Sequence, residues 1–156
     1  VRGLLSSRSA YPVFSVPSLE AFLARLTPGI EAVDHLWLTE TVGLSEKDAR
    51  QLSEGLCILG FTEPTGHLTA EGKLLAAPDA RGAVFGRVCA KVYANMIDSL
   101  LQEEEFNTDH VHQFLIKCGI THMRERQKTT LVFRFLVFNS DREDLIKRYS
   151  SKKCFA

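Results

Sequence analysis

The sequence predicts a mainly α-helical fold in which tandem helix-turn-helix units, the first with a small β-hairpin wing, pack around a long central helix. Three observations carry this. Between Thr39 and Leu75 the chain reads as a helix end, a turn at Gly43, a capped helix, a tight Pro64-Thr65-Gly66 loop and another capped helix. That is the order of a helix-turn-helix followed by a wing. From Ala83 to Glu105 apolar residues recur at helical spacing without a proline. Finally, VGLSEKDAR and CGITHMRER match in kind, each with glycine, aliphatic, hydroxyl cap and polar first turn, so the pattern occurs twice.

Taken in order, residues 1–17 form an arm, with Tyr11, Val13, Phe14 and Val16 available to pack on the body. A first unit spans 18–80. Ser18 is a candidate cap for a helix presenting Leu19, Phe22, Leu23 and Leu26 on one face, ended by Thr27-Pro28-Gly29. Val33, Leu36 and Trp37 mark the inner face of a second helix, closed by Gly43. Ser45 caps the third, where Ala49, Leu52, Leu56 and Leu59 make one stripe. Gly60 ends it, as a glycine past a helix terminus does. The wing runs from Phe61 to Leu68, and Thr69 caps a helix that Pro78 stops.

Residues 81–149 hold the long helix and the second unit. Asp79 to Gly82 reads as the joint. Val84, Val88, Val92, Ile97, Leu100 and Leu101, widened by Phe85, Cys89, Tyr93 and Met96, give the helix Ala83–Glu105 an apolar face broad enough for burial against both halves of the chain, with homodimerisation through it as a further option. Asn107 to Asp109 caps a helix with Val111, Phe114, Leu115 and Cys118 inward. Gly119 turns the chain, Thr121 caps the next helix, and Asp141 caps the last. Residues 150–156 are a polar, loose tail.

Charge constrains the partners. The formal net charge is +0, so nothing drives the whole chain toward a polyanion. Residues 1–80 hold 6 Lys+Arg and 10 Asp+Glu; residues 81–156 hold 13 and 9. Any phosphate contact is therefore expected mainly in the second half. Cys57, Cys89, Cys118 and Cys154 lie too far apart for a zinc ribbon and read as free thiols in a reducing, cytoplasmic setting. No apolar run is long enough to span a bilayer, and the broken N-terminal stretch does not read as a signal peptide.

The stretch LGFTEPTGHLTAEGKLLA resembles the exit of prokaryotic winged helix-turn-helix domains. FLIKCGITHMRERQKTTLVFRFLV resembles the second half of an uncharacterised bacterial family of tandem helical DNA-binding-like domains. Together the resemblance covers roughly residues 30–140. It implies a DNA-associated module of a prokaryotic transcription regulator or defence system. The apolar character of Ala83–Glu105 departs from that family's pattern.

In a helix-turn-helix the start of the second helix reads base edges. In the first unit this nominates Lys47, Arg50 and Gln51, although Glu46, Asp48 and Glu54 leave that helix net acidic. In the second unit it nominates Thr121, Arg124, Arg126, Gln127 and Lys128, where basic residues dominate and phosphate contact is better supported. His67 stands at the wing. His110, His112, Cys118 and His122 resemble a metal cluster, but His110 and His112 point to different sides of a helix. No metal, cofactor or catalytic constellation is expected, so the chain is read as a binding protein. Double-stranded DNA is the leading partner; the alternative is a winged-helix adapter that binds protein.

Overall fold

A computed structural model describes residues 11–149. Among these residues there are nine α-helices and no strand. They are α1 (Val16–Arg25), α2 (His35–Glu40), α3 (Glu46–Ile58), α4 (Ala70–Leu74), α5 (Arg81–Val92), α6 (Ala94–Leu100), α7 (Thr108–Lys117), α8 (Met123–Phe138) and α9 (Glu143–Arg148), with a 3-10 turn at Pro78–Ala80. Among the described residues the buried apolar side chains form one cluster, from Tyr11 to Tyr149. No helix is long and apolar enough to cross a membrane.

Of the expected arm at residues 1–17, Tyr11–Ser15 is extended and seats between α3 and α8; residues 1–10 of the arm and the expected tail at 150–156 lie outside the described residues. Phe14 is fully buried, and a Cβ on Gly55 of α3 would stand 2.1 Å from its ring. On the other side, Thr129 Oγ1 of α8 donates to the Pro12 carbonyl (3.3 Å). The first helix begins three residues earlier than its sequence suggests. Ser15 is the cap, accepting from the Ser18 amide (3.3 Å), and Ser18 is buried inside the helix.

The helix expected over Ala83–Glu105 is two helices. The chain leaves helical geometry at Tyr93 (φ −105°, ψ 19°). Its ring is fully buried, stacked on Tyr11 (5.3 Å) and beside Phe133 (5.0 Å). The apolar positions are too broad for one straight face, and the break solves this: α5 packs against α8 while α6 packs against α7. Val84, Phe85, Val88, Cys89, Met96, Ile97 and Leu100 are consequently buried against both halves of this chain's own core, so these side chains are not free to form a homodimer face. Arg148 ends the second helix by donating to the carbonyls of Leu101 (3.1 Å), Glu103 (2.7 Å) and Glu104 (3.1 Å).

Three further expectations change. Leu36 is exposed and Leu38 takes the inward position on α2. Thr121 is not a cap; His122 occupies that place without a side-chain bond. Arg142, not Asp141, precedes α9, and the Asp141 amide instead donates to the Gly82 carbonyl (3.0 Å). Ser45, Thr69 and Asn107 do cap α3, α4 and α7. Gly43 and Gly119, which end α2 and α7, have φ of +87° and +94°, a conformation that glycine adopts without steric cost.

In place of a hairpin, residues 61–68 make isolated bridges. Thr62 pairs with Leu68, and Ala32 pairs with His67, both antiparallel. The Val33 amide donates to Gly66 (2.8 Å), Leu68 to Glu31 (2.9 Å) and Glu63 to His67 (2.8 Å). The segment between α1 and α2 therefore lies alongside the loop that follows α3.

Candidate nucleic-acid interface

The surface of α3 follows from its core stripe. With Ala49, Leu52 and Leu56 inward, Lys47, Arg50 and Glu54 project to solvent on the opposite side. Glu46 is drawn away into a side-chain hydrogen bond with the His35 ring. Ser45 accepts from the Asp48 amide (3.1 Å), so the helix start is fixed.

Gln51 is half-buried and joins the two nominated regions. Lys128 Nζ of α8 donates to Gln51 Oε1 at 3.0 Å, across 77 residues of sequence. The second turns of α3 and α8 are therefore linked through these two side chains on one side of the molecule. Arg124 and Gln127, on the same outer face of α8 as Lys128, remain exposed. Among the described residues, Lys47, Arg50 and Arg124 form no side-chain ion pair.

Arg126 does not join them. Its Nη1 donates to the carbonyls of Thr121 (2.7 Å) and Ile120 (3.4 Å), closing the turn before α8. Its role is to brace the turn. Thr121 itself is exposed, its carbonyl engaged by that arginine.

His67 is exposed, with Nδ1 at 3.0 Å from Thr65 Oγ1. The loop is seated on the start of α2, where a Cβ on Gly66 would stand 3.0 Å from Asp34 Cα. Its surroundings are acidic: Glu63 is exposed nearby, and Glu31 pairs with Lys73 (3.1 Å). A phosphate is better accommodated beside Lys47, Arg50 and Arg124 than beside His67.

The histidines do not converge on a metal: no group of three or more His, Cys, Asp or Glu among the described residues could hold one. His110 serves the capping box of α7, its Nδ1 accepting from the Asn107 amide (3.0 Å). His112 is half-buried; burial first, and then Arg126, lower its pKa against the opposing pull of Asp109.

Sequence reasoning overlooked the outer face of the later turns of α8. Leu131 and Phe138 are 54% and 37% exposed, with the Arg134 guanidinium 5.0 Å from the Phe138 ring centroid. The signal was legible. LVFRFLVF has apolar residues around the whole helical circumference, so some must face water unless the helix is buried on every side. No family model matches the chain, and neither a curated protein nor a solved structure does.

Proposed function

We propose that the chain is a nucleic-acid-binding module that acts by binding rather than by chemistry. Its target is double-stranded DNA, and it serves as a regulator or as the recognition part of a larger prokaryotic assembly in the cytoplasm. The observation that supports the reading is the Lys128–Gln51 bond, which links the second turns of α3 and α8. Lys47, Arg50 and Arg124 then offer three unengaged cations, with Gln127 among them as a base-edge or phosphate donor.

The order of elements supports a winged helix-turn-helix reading of residues 18–80. A helix, a bridged segment at 31–33, two helices joined at Gly43, and a bridged loop at 62–68 follow in that sequence. In this reading α3 enters the major groove and the loop carrying His67 lies at its flank. Residues 81–149 supply the second unit, whose contribution is Arg124 and Gln127 with Thr121 beside them. A mixed-sequence duplex should bind, and Lys47→Ala/Arg50→Ala and Arg124→Ala should each weaken it in fluorescence anisotropy. Equal affinity in all three proteins would remove the surface from the proposal.

A second reading, a protein-binding adapter, is favoured by one observation, the exposed apolar pair Leu131 and Phe138.

A further inference from the structure

The face of α8 that points away from the core carries Arg124, Gln127, Leu131, Arg134 and Phe138, spaced alternately by three and four residues. This is the spacing of a helix–helix seam, and over these positions it is about 21 Å long. All five side chains are exposed, and no carboxylate lies on the stripe. Phe135 and Val16 floor a shallow groove along its second half, closed at the end by Asn139. Tyr149 packs on Phe138 at 5.4 Å, so the ring is held in place from below while its outer edge faces water.

The stripe has the composition of half a helical interface: two apolar anchors seven residues apart, with an arginine between them and another at the far end. Arg134 is already gathered over Phe138, which places its charge beside the apolar anchor. A chain covering this face must bring apolar side chains to Leu131 and Phe138 and carboxylates to Arg124 and Arg134. The chain's own undescribed segments are unsuited. Residues 1–10 and 150–156 carry Arg2, Arg8, Lys152 and Lys153 and no acidic side chain.

The geometry points to a docking site on α8 for an acidic amphipathic helix of a partner protein, laid along the stripe with its apolar residues on Leu131 and Phe138 and its carboxylates on Arg124 and Arg134. This goes beyond nucleic-acid binding, and the two surfaces share Arg124 and Gln127.

The test is a titration of the isotope-labelled chain, followed by amide NMR. The probe is a synthetic helical peptide that mirrors the stripe's spacing, with glutamate opposite each arginine and leucine opposite Leu131 and Phe138. Binding with a Kd of about 100 µM or tighter is expected, with shifts concentrated on Val16 and on residues 124–139. Leu131→Asp should weaken it about tenfold or more, as should Arg134→Glu, and a peptide with lysine in place of glutamate should not bind. Leu131→Asp should leave duplex affinity unchanged, and Lys47→Ala/Arg50→Ala should leave peptide affinity unchanged, so each reading can fail alone. Unmoved α8 amides at about 1 mM peptide, equal binding of the lysine peptide, or a duplex that covers Leu131 and Phe138 would overturn the proposal. Concentration-dependent shifts of the stripe without peptide would also overturn it, assigning the face to a second copy.

Discussion

Gly72→Ala should destabilise the protein although alanine is the better helix former. Gly72 lies within α4, where a Cβ would stand 2.0 Å from the Phe61 carbonyl oxygen, 2.9 Å from its carbon and 3.1 Å from Leu68 Cδ2. The obstacle is backbone and cannot rotate aside. That same carbonyl accepts from the Thr69 amide (3.0 Å), and Thr69 Oγ1 donates to Gly60 (2.6 Å), so the start of α4 is fastened to the segment it would have to leave. Overpacking costs about 1–3 kcal/mol, a strained hydrogen bond adds about 1, and helix propensity returns about 1. The net loss is about 2 kcal/mol, which lowers Tm by about 4–8 °C in a domain of this size. Gly82→Ala is the control. It sits in α5 with its nearest neighbours at 3.8–4.0 Å, so it should be neutral or slightly stabilising. Thermal unfolding followed by circular dichroism measures both. A Gly72→Ala protein as stable as the wild type would refute the close packing of α4 on Phe61.

Three other outcomes follow from the core and the titratable groups. The Tyr93 hydroxyl is buried without a hydrogen-bond partner among the described residues, so Tyr93→Phe should raise stability by about 1 kcal/mol in urea unfolding; a comparable loss would mean that the hydroxyl is satisfied. Burial pushes the Cys89 thiol up to about 12, whereas Cys118 is exposed. In a Cys154→Ser background at pH 8, a maleimide should therefore label Cys118 quickly and Cys89 only on unfolding, and equal rates would contradict the burial. His112 has a folded-state pKa below its ordinary 6.5, so the unfolded chain takes up the proton first. Its contribution to stability is complete above that value and declines as pH falls through it toward the folded pKa. The urea midpoint should therefore fall less between pH 8 and 5.5 in His112→Gln than in the wild type, and an equal fall would remove His112 from the balance.

Much of the helical order was legible because it is written locally. Ser45, Thr69 and Asn107 announce helix starts through side chains that reach only three residues, and Gly43, Gly60 and Gly119 announce stops. The break at Tyr93 was not legible. It depends on a ring wedged between Tyr11 and Phe133, residues 82 before and 40 after it, and no local pattern encodes that wedge. The same limit applies to the candidate interface. Sequence could nominate Arg124, Arg126 and Lys128 as a basic cluster. Only the tertiary arrangement turns Arg126 onto its own turn and Lys128 onto Gln51. Of the expected hairpin only the single Thr62–Leu68 bridge forms, and the Ala32–His67 bridge beside it joins segments separated by two helices, which no local pattern encodes.

The salt dependence of duplex binding tests the surface shared by α3 and α8 most directly. Three unengaged cations, each neutralising one phosphate, give a slope of log affinity against log salt of about −2.7. Affinity should then fall about 40-fold between about 50 and 200 mM salt. Lys47→Ala/Arg50→Ala should leave a slope of about −1, set by Arg124. Binding that is absent at the lowest salt, or a slope that the double substitution leaves unchanged, would contradict the account.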